Sequence, residues 1–154
     1  HLYEDNIYNY ISSLAFPEND LTLCVDYLPP YNIQLDDATK VLIDAKSNIL
    51  DIGKNISRWN AIDTGFFCLS TTVFDRLKEI RSKKTTISNA VIQMINHGDS
   101  VKAIDITGNF WADIDTFVDL QNAEQQYASY RTTQFVSGTE TASQHLDKTQ
   151  TPNY

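Results

Sequence analysis

Phe110 to Leu120 reads F-W-A-D-I-D-T-F-V-D-L: an aromatic, apolar start, then three aspartates and a threonine within seven residues from Asp113. Thr116 followed three residues later by Asp119 has the form of a capping box, so a helix is expected to begin there. If Trp111 to Asp115 is extended, Asp113 and Asp115 project to the same side. Both would then lie at a strand's carboxyl end and before a helix N-terminus, where open α/β sheets bind their ligands. Two hard carboxylates there could hold a divalent cation such as Mg²⁺. The plainer alternative is that Asp115 helps cap the helix and Asp113 is solvated. Spacing alone leans to the plainer one.

The same strand-then-helix pattern extends back through the chain. Ile7, Tyr10, Ile11 and Leu14 recur at helical spacing, which predicts a helix from Asp5 to Ala15 ended by Phe16-Pro17. Leu21 to Leu28 predicts a strand closed by Pro29-Pro30. Lys40 to Asp44 and Asn48 to Gly53 flank A-K-S-N as a hairpin, and Ala61 to Leu69 predicts a buried strand. Ser70 is placed to cap a helix carrying Val73, Leu77 and Ile80, and Ser88 one that stops at Gly98. Ser100 to Ile106 predicts another strand, and Phe117, Leu120 and Ala123 one side of a last helix running to about Tyr127. Interleaved strands and helices make the class α/β, with at least one antiparallel pair. Residues 1–128 are expected to form the domain. Residues 129–154, rich in Thr, Ser and Gln, are expected to be a flexible tail or linker.

Bulk properties bound the function. A chain of 154 residues is the size of one domain, and 42% hydrophobic with 21% charged residues suits a globular fold. A net charge of −8 argues against general nucleic-acid binding. Cys24 and Cys68 sit singly in apolar runs, as buried small hydrophobes of a reducing compartment do. No apolar run approaches the about 20 residues that span a bilayer, and no leader pattern opens the chain, so a cytoplasmic protein is expected. His1, His97 and His145 share no metal-ligand spacing.

Two tempting motifs fail on context. Asp113-Ile114-Asp115-Thr116 evokes the aspartate nucleophile loop of haloacid-dehalogenase-type phosphatases. That loop should follow a fully apolar strand and precede a lysine motif, whereas here it follows G-N-F-W-A and only a short helix and a polar tail come after it. Asp63-Thr64-Gly65 matches the aspartic-protease triplet, but Phe66 follows it and no second copy exists.

Taken in order, A-T-K-V-L-I-D (Ala38 to Asp44), I-L-D-I-G-K (Ile49 to Lys54), W-N-A-I-D-T-G-F-F (Trp59 to Phe67), I-S-N-A-V-I-Q-M-I (Ile87 to Ile95) and F-W-A-D-I-D-T-x-x-D-L-x-x-A-E (Phe110 to Glu124) resemble the sugar-phosphate nucleotidyltransferase superfamily. The likeness is greatest to cytidylyltransferases that make CDP-inositol from inositol 1-phosphate, and it covers about residues 1 to 127. It implies a Rossmann-like mixed sheet with flanking helices, CTP and a polyol or sugar phosphate as substrates, and Mg²⁺ as cofactor. It further implies metal binding by Asp113 with Asp115 assisting, an acceptor-phosphate contact by Lys54, and an acceptor pocket lined by Asp63, Thr64 and Gly65, with Asp26 a weaker candidate. The family's L-A-A-G-x-G-x-R loop and first metal aspartate are absent. The chain is therefore expected to be the C-terminal, acceptor-binding portion of such a domain, lacking the N-terminal nucleotide-binding strands and inactive alone. An open sheet edge could also invite self-association into a homo-oligomer. The alternative expectation is a non-catalytic regulatory or oligomerisation module. In some relatives a membrane-embedded domain follows, and the tail could be the linker to it.

Overall fold

A computed structural model describes residues 1–13, 19–28, 35–79 and 86–146, with side chains as far as residue 133. The chain divides into two compact units, Tyr3–Trp111 and His1–Leu2 with Ala112–Tyr154.

The larger unit is built on a five-stranded mixed sheet in the order β4-β3-β5-β2-β6. Its strands are β2 (Leu21–Asp26), β3 (Lys40–Ile43), β4 (Ile49–Gly53), β5 (Ala61–Leu69) and β6 (Val101–Asp105). β2 and β6 run parallel, whereas β3 with β4, β3 with β5, and β2 with β5 are antiparallel. All six residues of β2 are buried, as expected of a central strand covered on both faces. A shorter two-stranded pairing joins β1 (Leu2–Tyr3) to β7 (Trp111–Ala112).

Alternation along the strands sends side chains into two cores. Leu21, Leu23 and Val25 join Val41, Ile52 and Ala61 on one face, where Val73 of α2 (Thr72–Glu79) and Val91 and Met94 of α3 (Ile87–His97) cover them. Cys24, Ile62 and Ile106 lie in the other cluster, under Ile7 and Ile11 of α1 (Asp5–Ser13). The expected hairpin is present. Its turn is held by Asp44, whose carboxylate accepts from Lys46 N and Asn48 N at 2.8 Å each.

Several expectations need correction. The cap of α3 is Thr86, not Ser88: Thr86 is extended and its hydroxyl accepts from Asn89 N at 3.2 Å, which leaves Ser88 inside the first turn. The stop at Gly98 stands, with φ of 84° in the left-handed region. Ser70 lies two residues before α2 rather than as its immediate cap, and Tyr10 of α1 is exposed. The predicted helix end at Phe16-Pro17, the Pro29-Pro30 closure, Leu14 and Ile80 fall outside the described residues.

β7 ends at Ala112, so no extended strand carries Asp113 and Asp115 together. Helix α4 (Phe117–Leu146) continues well past Tyr127, into the stretch expected to be a flexible tail or linker; 147–154 are outside the described residues. Its expected apolar side is only partly realised: Ala123 is buried, but Phe117 is 72% exposed and Leu120 36%. A helix buries the positions that its neighbours cover, which periodicity alone does not specify.

Candidate functional site

Asp63-Thr64-Gly65 sits in β5 where its pairing with β2 shifts. Leu23 pairs with Phe67 and Val25 with Asp63, so two steps on β2 face four on β5. The chain bulges across this triplet, a device that re-aims residues at functional edges. Gly65 takes φ of 79°, a conformation that a side chain would strain. Its N–H donates to Asp63 Oδ1 at 2.7 Å. Thr64 is fully buried; its hydroxyl donates to Cys24 O at 2.8 Å, and its carbonyl accepts from the Tyr3 hydroxyl at 2.7 Å. The Tyr3 ring meets Phe66 edge-on, with centroids 5.2 Å apart.

Asp26 ends β2 beside this bulge and is buried, 2% exposed. Its Oδ1 accepts from Leu28 N and its Oδ2 from Trp111 Nε1, each at 2.8 Å. The adjoining turn is tied down as well, since Tyr27 N donates to Thr107 Oγ1 at 2.9 Å. Asp26 thus braces the carboxyl end of the sheet from within. Trp111, Tyr3 and Thr107 were not singled out from the sequence. A signal for the first existed, because a buried indole N–H needs an acceptor.

Register brings Lys54 to the same end. Gly53, Lys40, Ile62 and Asp26 are consecutive partners across β4, β3, β5 and β2, so Lys54 follows a residue two strands from Ile62. That is about 10 Å in the hydrogen-bonding direction. The Lys54 ammonium pairs with Asp37 and is half-exposed. This hydrogen bond and charge hold the Asp37 carboxyl below the ordinary carboxylate range. Lys40 Nζ donates to Lys54 O at 2.8 Å. Lys54, Asp63–Gly65 and Asp26 therefore share one end of one sheet.

In the smaller unit Asp113 Oδ1 lies 3.0 Å from His1 Nδ1, and both side chains are substantially exposed. The capping box forms: Thr116 Oγ1 accepts from Asp119 N at 3.2 Å, and Asp119 Oδ2 accepts from Thr116 N at 2.8 Å. The Thr116 hydroxyl and amide hold the Asp119 carboxyl low. Asp115 is exposed, with its N–H directed to Asp119 Oδ2 at 3.3 Å. Among the described residues no group of three or more His, Cys, Asp or Glu side chains is placed to hold a metal. Asp113 and Asp115 nevertheless suit Mg²⁺ in donor chemistry, because that ion takes one or two carboxylates and completes its shell with water and phosphates.

No family model matches the chain. Over 105 residues, 67% of the chain, it is 33% identical to the bifunctional IPC transferase and DIPP synthase of Aquifex aeolicus, of which this covers 23%. Over 109 residues, 70% of the chain, it is 30% identical to the protein of the same name from Rubrobacter xylanophilus, covering 24% of it. The solved inositol-1-phosphate CTP transferase from T. maritima superposes on 80% of the chain and 50% of its own, with a TM-score of 0.69 and 25% identity. The chain belongs to the nucleotidyltransferase superfamily.

Its mixed sheet and flanking helices are accordingly those of a Rossmann-like nucleotidyltransferase domain, as the ordered motifs implied. The chain spans about a quarter of the length of the curated nucleotidyltransferase relatives it matches, and half of the solved one. No helix among its described residues is long and apolar enough to cross a membrane.

Proposed function

We propose that this chain supplies the acceptor- and metal-binding part of a Mg²⁺-dependent cytidylyltransferase, which transfers CMP from CTP to inositol 1-phosphate or a related polyol phosphate and releases pyrophosphate. The observation that carries this reading is the likeness, in fold and at 25% identity, to a solved inositol-1-phosphate CTP transferase. In the reaction an oxygen of the acceptor's phosphate attacks the α-phosphorus of CTP as the bond to pyrophosphate breaks. Such a displacement depends mainly on positioning and on neutralising charge.

Lys54 would meet the acceptor phosphate as a point charge, exchanging Asp37 for the substrate. Asp63–Gly65 would line the acceptor pocket, the bulge and the bonds from Tyr3 and Thr64 holding that backbone still. Asp26 would support the pocket's floor through Leu28 N and Trp111. Asp113 and Asp115 would hold Mg²⁺, which when bound supplies charge neutralisation at the transferring phosphate. The nucleotide would be gripped largely by residues outside this chain, which by itself should be inactive. A cytoplasmic location suits these substrates.

The test is pyrophosphate release from CTP and inositol 1-phosphate by the complete protein, with and without Mg²⁺. Turnover that Asp113→Ala abolishes while the circular dichroism stays native supports the reading. Turnover by this chain alone would overturn its partial role, and none by the complete protein would favour a regulatory or oligomerisation module.

A further inference from the structure

A cavity of about 670 Å³ opens at the other end of the sheet, within the larger unit. Its position follows from register. Thr22 pairs with Lys102 on one side and with Cys68 on the other, so these three side chains stand in one row on one face. Ile104 pairs with Cys24 two residues further along, on the same face. Thr22 and Asp26 are four residues apart on β2, or about 13 Å along the strand. The cavity is therefore separate from the end that carries Asp26 and Asp63–Gly65.

The β3–β4 turn forms one wall. Ala103 N donates to Ser47 O at 2.9 Å, and Lys102 Nζ donates to Asn48 Oδ1 at 2.6 Å and to Lys46 O at 3.3 Å. Ser47 adopts φ of 61°, an uncommon conformation for a residue with a side chain. Lys46 and Lys102 thus share a wall, and among the described residues neither makes an ion pair. Asp44, whose charge acts on Lys102, has its oxygens engaged by Lys46 N, Asn48 N and Asn48 Nδ2. Asp20, next to the lining residue Asn19, has its own engaged by Thr72 Oγ1 and Ser100 N. Thr22 is 6% exposed and lines the cavity. Leu69 and Ile104 provide apolar lining.

We propose that this cavity is a second ligand site, for a small organic phosphate monoester. The phosphate would lie between Lys46 and Lys102 and accept from the Thr22 hydroxyl, while its organic part covers Leu69 and Ile104. The volume lies within the roughly 300–1,000 Å³ of small-molecule sites, and two ammoniums with a hydroxyl suit a dianion's three oxygens.

Cys68 lines the cavity and serves as the reporter, because Cys24 is buried at 1% exposure. The 154-residue chain is treated with iodoacetamide, and Cys68 labelling is followed by mass spectrometry as phenyl phosphate is added. Phenyl phosphate should slow labelling, and inorganic phosphate should do so only at higher concentration. Lys46→Ala and, separately, Lys102→Ala should each raise the half-protecting concentration roughly tenfold. Lys54→Ala, at the other end of the sheet, should leave it unchanged. Lys46→Ala is the safer variant for folding, since only its main chain is bonded to the turn, and a native thermal melt accompanies each measurement. Absence of protection at several millimolar, equal protection by neutral benzyl alcohol, or protection that survives both lysine variants would each overturn the proposal.

Discussion

Trp111 Nε1 donates to Asp26 Oδ2 at 2.8 Å, a buried bond between residues 85 apart in the chain. It fastens the strand before the aspartate segment to the end of the central strand β2. Trp111→Phe keeps most of the apolar surface but leaves that carboxylate oxygen without its donor. We expect a loss of about 1–3 kcal/mol in urea-derived stability at unchanged m-value. A loss under about 0.5 kcal/mol would mean that water replaces the indole.

Arg76 grips Asp99 with two donors, Nε at 2.7 Å and Nη2 at 2.9 Å, and joins α2 to the end of α3. The guanidinium holds the Asp99 carboxyl below the ordinary range. A carboxylate whose folded pKa is depressed stabilises fully above its unfolded value of about 3.9, and that contribution fades as pH falls through the folded value. Asp99→Asn should therefore lower the melting temperature at pH 7. The gap from the native chain should narrow steadily below about pH 4. A gap that does not change between neutral and strongly acid pH would show that the pair acts through shape rather than charge.

Gly98 closes α3 at φ of 84°, and a Cβ added there would meet nothing within 4 Å. Gly98→Ala consequently tests backbone strain without steric clash. About 1–2 kcal/mol of destabilisation is expected in chemical denaturation, and a neutral result would mean that the helix end relaxes to another conformation.

Lys54 and its counter-ion Asp37 give a kinetic prediction for the complete protein. Lys54→Ala should raise the acceptor KM roughly tenfold or more and leave the CTP KM unchanged. Asp37→Asn should lower the acceptor KM by freeing the ammonium. Equal effects on both KM values would place Lys54 outside the acceptor pocket.

Much of the fold is legible in local sequence. The β3–β4 hairpin, the strand Ala61–Leu69, the Gly98 stop and the Thr116–Asp119 box all follow from period, turn chemistry and capping, which act within a few residues. The errors arise where neighbours compete. Thr86 and Ser88 are both capable caps, and the hydroxyl that reaches Asn89 N prevails. Phe117 and Ala123 share a helical pattern, but only Ala123 is covered. That Asp26 is buried and bonded to Trp111 is likewise invisible without the pairing.

The ordered motifs and alternating elements determined the superfamily and the α/β class, because periodicity and loop chemistry are written into adjacent residues. Register decided the rest. It placed Lys54 at the same end of the sheet as Asp63–Gly65, shifted the pairing across that triplet, and aligned Lys102, Thr22 and Cys68 over a cavity at the opposite end. Those juxtapositions depend on which strands hydrogen-bond and at which residue, and long-range pairing leaves no local mark in the chain.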